Sequence, residues 1–298
     1  MKMKNACTRI ITTIILSVIT AGNMIVYAQL TVQGENANGQ VYQYFYWHYP
    51  SYRIIDSVQL CVDYISDFAV DTAKGIRVKE TSLLEIGKSR SKFLHRQKFI
   101  ADSLHRIGSS LQRETIHLDE NVAYPMTFFE AIFQNYPEGK LTCTGKVITQ
   151  DLIYEEDMPV FDWSISDSTR TILGLTCFKA TCRFRGRDYT AWFAPDIPAM
   201  TGPWKFSGLP GLILEVYDSR REYTFAAKRM YRTQDPIILP DLEYLKTTRE
   251  KYRQAHKLLI TNYKQAAAIY MVNTRWQIVD DGKPSKVSVM KYAFIEKD

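Results

Sequence analysis

"TCFKATCRFRGRDYTAWFA", residues 176–194, is the stretch whose reading decides the fold. Two runs of aromatic and small side chains flank Arg185-Gly186-Arg187. Such residues suit a pleated, half-buried surface, and a glycine between two such runs marks a hairpin tip. The pattern repeats downstream in "GLILEVYDSRREYTFAAKRMY" (211–231), which turns near 218–221. Upstream it occurs in 40–49, 57–71, 79–95 with Gly87 at a turn or bulge, and 140–157; a hairpin around Asp281-Gly282 is predicted over 275–294. Helical spacing predicts helices over 98–112, 125–139 and 240–270, the last capped by Asp241 with an apolar stripe of Leu245, Tyr252, Leu259, Tyr263 and Tyr270. Strands do not alternate regularly with helices, which argues against a parallel α/β sheet. The expectation is a β-rich α+β domain over 29–298. It should have a large antiparallel, curved sheet or an open barrel or sandwich, with a few helices including one long C-terminal helix.

The N-terminus reads differently. Lys2, Lys4 and Arg9 precede a largely apolar run from Ile10 to Tyr27, and Val26-Tyr27-Ala28 supplies small residues where a signal peptidase cleaves. Residues 1–28 are therefore expected to be a signal peptide, and the chain to be periplasmic, at the cell surface or secreted. No later apolar run is long enough to span a bilayer as a helix. The formal charge of +6 falls to about +3 without the three basic residues of the leader, too little to argue for nucleic acid.

After the leader, Cys61, Cys143, Cys177 and Cys182 remain. An even number in an exported chain invites disulfides, with three possible connectivities; buried free thiols are the alternative. Cys177 and Cys182, five apart, would face opposite sides of a straight strand.

Catalytic and metal signatures are absent from the sequence. The five histidines, His48, His95, His105, His117 and His256, show no ligand spacing. Neither GxSxG nor SxxK occurs. Glu155, Glu156 and Asp157 read as a solvated, turn-like group, and Arg183, Arg185 and Arg187 as a hairpin tip that also discourages edge pairing. No cofactor or metal is expected.

That leaves "GPWKFSGLPGLILEVYD" (202–218). Gly208 and Gly211 lead into a strand rather than a helix, so a phosphate cradle is ruled out. Pro210-Gly211 predicts a type II turn, the proline setting φ and the glycine accepting φ > 0. The prolines upstream make 194–208 an ordered excursion carrying Trp204 and Phe206, near Trp192 in sequence. These three aromatics either cover the end of the core or line a mouth that grips a ligand.

The same stretch resembles the GLPGLI family of exported bacterial proteins, found mainly in the Bacteroidota. The signature hexapeptide stands here as Gly208-Leu209-Pro210-Gly211-Leu212-Ile213. The family's central block also has a Gly-x-x-Cys-x-Lys-Ala unit, here Gly174, Cys177, Lys179 and Ala180, and a Gly-Arg-x-Tyr-x-Ala-Trp-Phe strand, here 186–193. The ending "MKYAFIEKD" departs from the Asn-Pro-rich close of many members. The resemblance implies export and a largely unassigned biochemical function, with no catalytic set to carry over. Three readings follow: a non-enzymatic binding or accessory protein of the cell envelope, its partner a protein or peptide; a carrier of a lipophilic ligand in an apolar cavity; or an exported hydrolase whose site assembles from distant residues.

Overall fold

The computed structural model describes residues 10–11, 30–35, 41–46, 51–96, 98–99, 130–148, 150–270 and 295–296. Apart from Ile10–Ile11, the leader expected over 1–28 lies outside them, as do the hairpin at 275–294 and most of the helix expected at 98–112. Strands β1 (Ile10–Ile11), β2 (Leu30–Glu35) and β3 (Val41–Tyr46) pair antiparallel as a small sheet.

The main sheet has twelve strands. One meander runs through β5 (Leu60–Asp71), β6 (Ile76–Ile86), β7 (Ser91–His95), β8 (Ala131–Gln134), β9 (Lys140–Val147) and β10 (Gln150–Asp157). A second runs through β11 (Ser164–Ile172), β12 (Leu175–Phe184), β13 (Arg187–Ala194), β14 (Leu212–Asp218) and β15 (Tyr223–Tyr231). The last strand of the second meander, β15, pairs with the first strand of the other, β5, from Tyr223↔Phe68 to Tyr231↔Cys61. Two-residue β17 (Leu245–Lys246) adds in parallel to β10. Strands β4 (Tyr52–Ser57) and β16 (Pro236–Pro240) form a separate ribbon. Every ladder of the main sheet except β10–β17 is antiparallel.

The connection from β10 to β11 shows that the sheet is rolled. Laid flat, the two strands would stand ten places apart, about 48 Å at the usual strand spacing. The chain crosses between them in residues 158–163, a reach of about 25 Å at most. Arg185, just past β12, also donates to Glu156 of β10 at 2.6 Å. The sheet therefore curls until its ends nearly meet, without closing. The seam is packed with rings: Phe161 lies 4.3 Å from Phe184 and 5.4 Å from Phe206 between centroids.

Strand alternation sorts side chains to the two faces. Val62, Tyr64, Leu84, Phe93 and Ile132 face the concave interior, with Phe225, Tyr189 and Phe193 opposite. Cys61, Leu83, Leu94 and Phe133 face outward, under Ile55, Ile237 and Leu239 of the β4–β16 ribbon. Because both faces are covered here, Leu83 and Leu84 are buried side by side in sequence.

Helices α1 (Arg249–Thr261) and α2 (Tyr263–Tyr270) form the C-terminal helical stretch, interrupted at Asn262. The expected start at Asp241 is corrected: Thr248 is the N-cap, its Oγ1 accepting from Lys251 N at 3.3 Å, because 236–240 and 245–246 are drawn into strands. Tyr252 seats α1 against β9, where Gly145 makes room. A Cβ there would overlap the Tyr252 hydroxyl and stand 2.9 Å from its Cζ. The helix expected at 125–139 is overturned over its described part: 131–134 is strand β8, inserted between β7 and β9. Burial on both faces explains the misreading, since Ala131-Ile132-Phe133 is apolar without alternation.

The tip at Arg185-Gly186 forms as expected, with φ of 43° and 75°, the left-handed pair of a type I′ turn. The GLPG turn differs from expectation. Gly211 N donates to Leu209 O at 2.8 Å, a three-residue turn centred on Pro210 rather than a type II turn. Gly211 sits at φ 152°, and a Cβ there would run into Ala194 O and lie 2.7 Å from Ala194 C. The glycine is required by the close crossing of two backbone segments.

All four described cysteines are buried and unbridged. β12 pairs with β13 without a register shift, so Cys177 and Cys182 do face opposite sides. Cys61 belongs to the outer cluster and Cys143 to the inner one.

Candidate functional site

Residues 195–211 leave β13, fold back into the roll, and return as β14. Trp204, Lys205 and Phe206 are consecutive and exposed by only 1%, 2% and 0%, so this excursion is a plug. Trp204 adopts φ 54°, a conformation bulky residues rarely hold unless the surroundings impose it. Gln134 of β8 imposes it. Its Nε2 donates to Trp204 O at 3.1 Å and Phe206 O at 3.3 Å, while its Oε1 accepts from Thr201 Oγ1 at 2.8 Å. Trp163 Nε1 donates to Ser207 O at 2.8 Å from the seam.

The plug turns Lys205 into a charged centre. Its Nζ donates to Tyr154 Oη at 3.0 Å, Glu156 Oε1 at 2.7 Å and Glu296 Oε1 at 2.8 Å. Arg185 bonds both of these carboxylates, and Arg249 Nη1 donates to Glu296 Oε2 at 2.7 Å. Burial alone would raise the Glu296 pKa; Lys205 and Arg185 override it, with hydrogen bonds from Lys205 and Arg249, and bring it to about 2. Glu130 goes the other way: burial, opposed by Lys205 and reinforced by Glu296, pushes it up to about 7.

Above the plug lies an open groove of about 990 Å³. One wall is 196–201 of the plug segment, the other the β6–β7 turn, and 230–234 closes one side. The walls are tied down. Ser91 and Thr201 hydroxyls meet at 3.0 Å, and Ile213 N donates to Thr201 O at 3.1 Å. Asp56 braces the turn, accepting from Ser89 N at 3.0 Å and Arg90 N at 3.1 Å. Burial would raise the Asp56 pKa, but these backbone donors prevail and lower it. The lining mixes sulfur and aliphatic surface (Met158, Met200, Met230, Ile197) with Lys88, Arg90 and Arg232, against Asp196.

The aromatics singled out in the sequence do not converge. Trp204 and Phe206 pack in the core, their ring centroids 5.2 Å apart. Trp192 lies on the outer face of β13, 4.3 Å below the Arg170 guanidinium. Gly208, Pro210 and Gly211 shape the plug's exit. The residues that build the site, Gln134, Lys205 and Glu156, lacked a sequence signal: a single Gln, a single Lys and a carboxylate in an acidic run. Glu156 was expected in solvent; its side chain is 14% exposed and paired with Arg185 and Lys205. The Arg183-Arg185-Arg187 reading is likewise corrected. Arg183 is exposed, but Arg187 is buried between Asp218 at 2.8 Å and Glu222 at 2.6 Å, because the turn at 185–186 sends it to the inner face. His95 is buried beside Glu80 at 3.4 Å, and His256 lies tilted against Tyr252, their ring centroids 4.5 Å apart; neither lines the groove. Among the described residues, no three His, Cys, Asp or Glu side chains could hold a metal ion together.

A family model described as a protein of unknown function, Porph_ging, matches residues 183–215, from the end of β12 through the plug into β14. No curated protein matches. Two structures of PNGF-II, in space groups P21 and C2, are similar at TM-scores of 0.47 and 0.45 and identities of 11% and 12%. Each likeness covers 66% of this chain and 32% of the other, so this chain spans about a third of the length of those proteins.

Proposed function

We propose that this chain is an exported GLPGLI-type protein of the cell envelope that acts as a non-enzymatic binding protein, its groove taking an extended peptide segment of a partner. The observation that carries this reading is the groove itself, within the size range of ligand sites and walled by the segment that the plug holds rigid. A preformed wall lowers the ordering cost of binding, and its methionines give an adaptable apolar surface. The leader pattern supports export. The carrier reading is less favoured, because Trp204, Phe206 and Phe225 occupy the interior a lipophilic cargo would need.

The test is selection of random decapeptides displayed on phage against the full chain and against Met200→Asp. Met200 is 62% exposed on the groove wall, so the substitution leaves the core intact. Peptides enriched on the wild type should lose at least tenfold in binding to the variant. Equal binding to both would reject the groove as the site. Fractionation of the tagged full chain should place it outside the cytoplasm.

A further inference from the structure

A second site lies on the far side of the plug and rests on observations independent of the groove. The chain's own Ile295-Glu296 is seated there as a peptide would be. Lys205 Nζ donates to Glu296 Oε1 at 2.8 Å and Arg249 Nη1 to Oε2 at 2.7 Å. Arg185 donates to Oε1 as well. Both main-chain carbonyls are captured: Tyr189 Oη donates to Ile295 O at 3.1 Å, and Arg253 Nη2 to Glu296 O at 2.7 Å. The Ile295 side chain packs against the main core, and Glu296 is 4% exposed.

This is more than a chance ion pair. Four cationic side chains, from the β12–β13 turn, the plug and two positions of α1, converge on one carboxylate. Arg249 and Arg253 stand four apart on α1, which puts them on one helical face. Guanidinium groups are suited to a carboxylate because their fork matches its geometry. Capture of consecutive backbone carbonyls, with one apolar and one acidic side chain received, combines main-chain contacts with side-chain recognition, as peptide sites do.

We infer that this cradle is a binding site for a short acidic peptide, an apolar residue followed by glutamate, and that the chain's own Ile295-Glu296 is its resident ligand. The cradle accepts the same sequence in trans once the resident glutamate is removed. A tethered ligand acts at an effective concentration on the order of mM, so the intact chain resists exchange.

The experiment uses the full chain carrying Glu296→Ala and a synthetic peptide of residues 293–298, Ala-Phe-Ile-Glu-Lys-Asp, titrated by calorimetry. The variant should bind the peptide in a saturable, one-to-one manner, and the wild type at least tenfold more weakly. A peptide with glutamine in place of the glutamate should not bind. Inorganic sulfate should bind the variant far more weakly than the peptide does. No binding to folded variant, equal binding by wild type and variant, indifference to the glutamine replacement, or sulfate matching the peptide would each overturn the proposal. Should Glu296→Ala fail to fold, Glu296→Gln, which keeps an acceptor oxygen, takes its place under the same criteria. Loss of groove binding by Met200→Asp reads the other site alone, so the two proposals fail separately.

Discussion

Lys205→Met keeps most of the side-chain volume and removes the charge at the centre of the plug. The ammonium holds Tyr154, Glu156 and Glu296 at 3.0, 2.7 and 2.8 Å, and is itself 2% exposed. Removing one member of a buried ion pair costs about 3–5 kcal/mol, because its partners stay behind without compensation. Arg185 and Arg249 remain on Glu296, which places the expected loss at the lower end, about 3 kcal/mol. The pH dependence is a sharper check. Glu296 titrates at about 2 against an ordinary 4.5, so its contribution is complete above 4.5 and disappears as the pH falls towards 2. Without Lys205 the Glu296 carboxyl should titrate closer to its ordinary value. The difference in stability between wild type and variant should therefore shrink as the pH falls from 4.5 towards 2. Urea unfolding of both proteins at pH 7 and at several points down to pH 3 measures this. A loss below about 1 kcal/mol at pH 7, or one of constant size across the range, would refute the idea that Lys205 organises the network.

Other outcomes follow from the same geometry. Gly211→Ala forces a Cβ into the Ala194 backbone and should cost more than about 2 kcal/mol in urea unfolding, while Gly75→Ala, at φ 66° with nothing within 4 Å of its Cβ, should cost only about 1 kcal/mol. Burial lowers the His256 pKa to about 4 from 6.5. The folded state then resists taking up its proton, so stability should fall as the pH drops from 6.5 to 4, and His256→Phe should flatten that slope in thermal melts. Cys61 and Cys182 have thiols pushed up to about 12, Cys61 by burial and then Glu85, Cys182 by burial and then Asp162. All four buried cysteines should react with a thiol reagent only on unfolding, and reductant should leave the melting temperature unchanged.

Much of the main sheet can be read locally, since alternation and turn chemistry act between neighbours. Gly87, Arg185-Gly186 and 218–221 each mark a real hairpin. β8 could not be read that way, because a strand buried on both faces loses its alternation. Nor could the pairing of β15 with β5, which is specified by packing between residues far apart in the chain. The site was less legible than the fold. The tryptophans drew attention by their size, yet Trp204 and Phe206 fill space, while Lys205 between them carries the charge that four elements share. A lysine in an aromatic run reads as a solvated residue until the carboxylates that receive it, one about fifty residues earlier and one about ninety later, are brought to the same place.

The short crossing at 158–163 has a consequence for how the chain assembles. Most neighbouring strands within each meander are joined by short turns, the exceptions being β7 to β8 and β13 to β14; the short turns close quickly because little loop entropy is lost. The β15–β5 ladder, with Tyr231 opposite Cys61, joins the two halves, together with the plug's grip on β8 and β10, the Arg185–Glu156 pair, the Tyr64 hydroxyl on Ile213 O and the shared interior. A cut in 158–163 would sever no ladder, so fragments ending and beginning there each keep one meander whole. They would find each other through one strand edge, the buried lysine and the apolar interior that both line. The roll is in this sense two folding units meeting at their most distant strands, with the covalent link lying across the gap that they leave open.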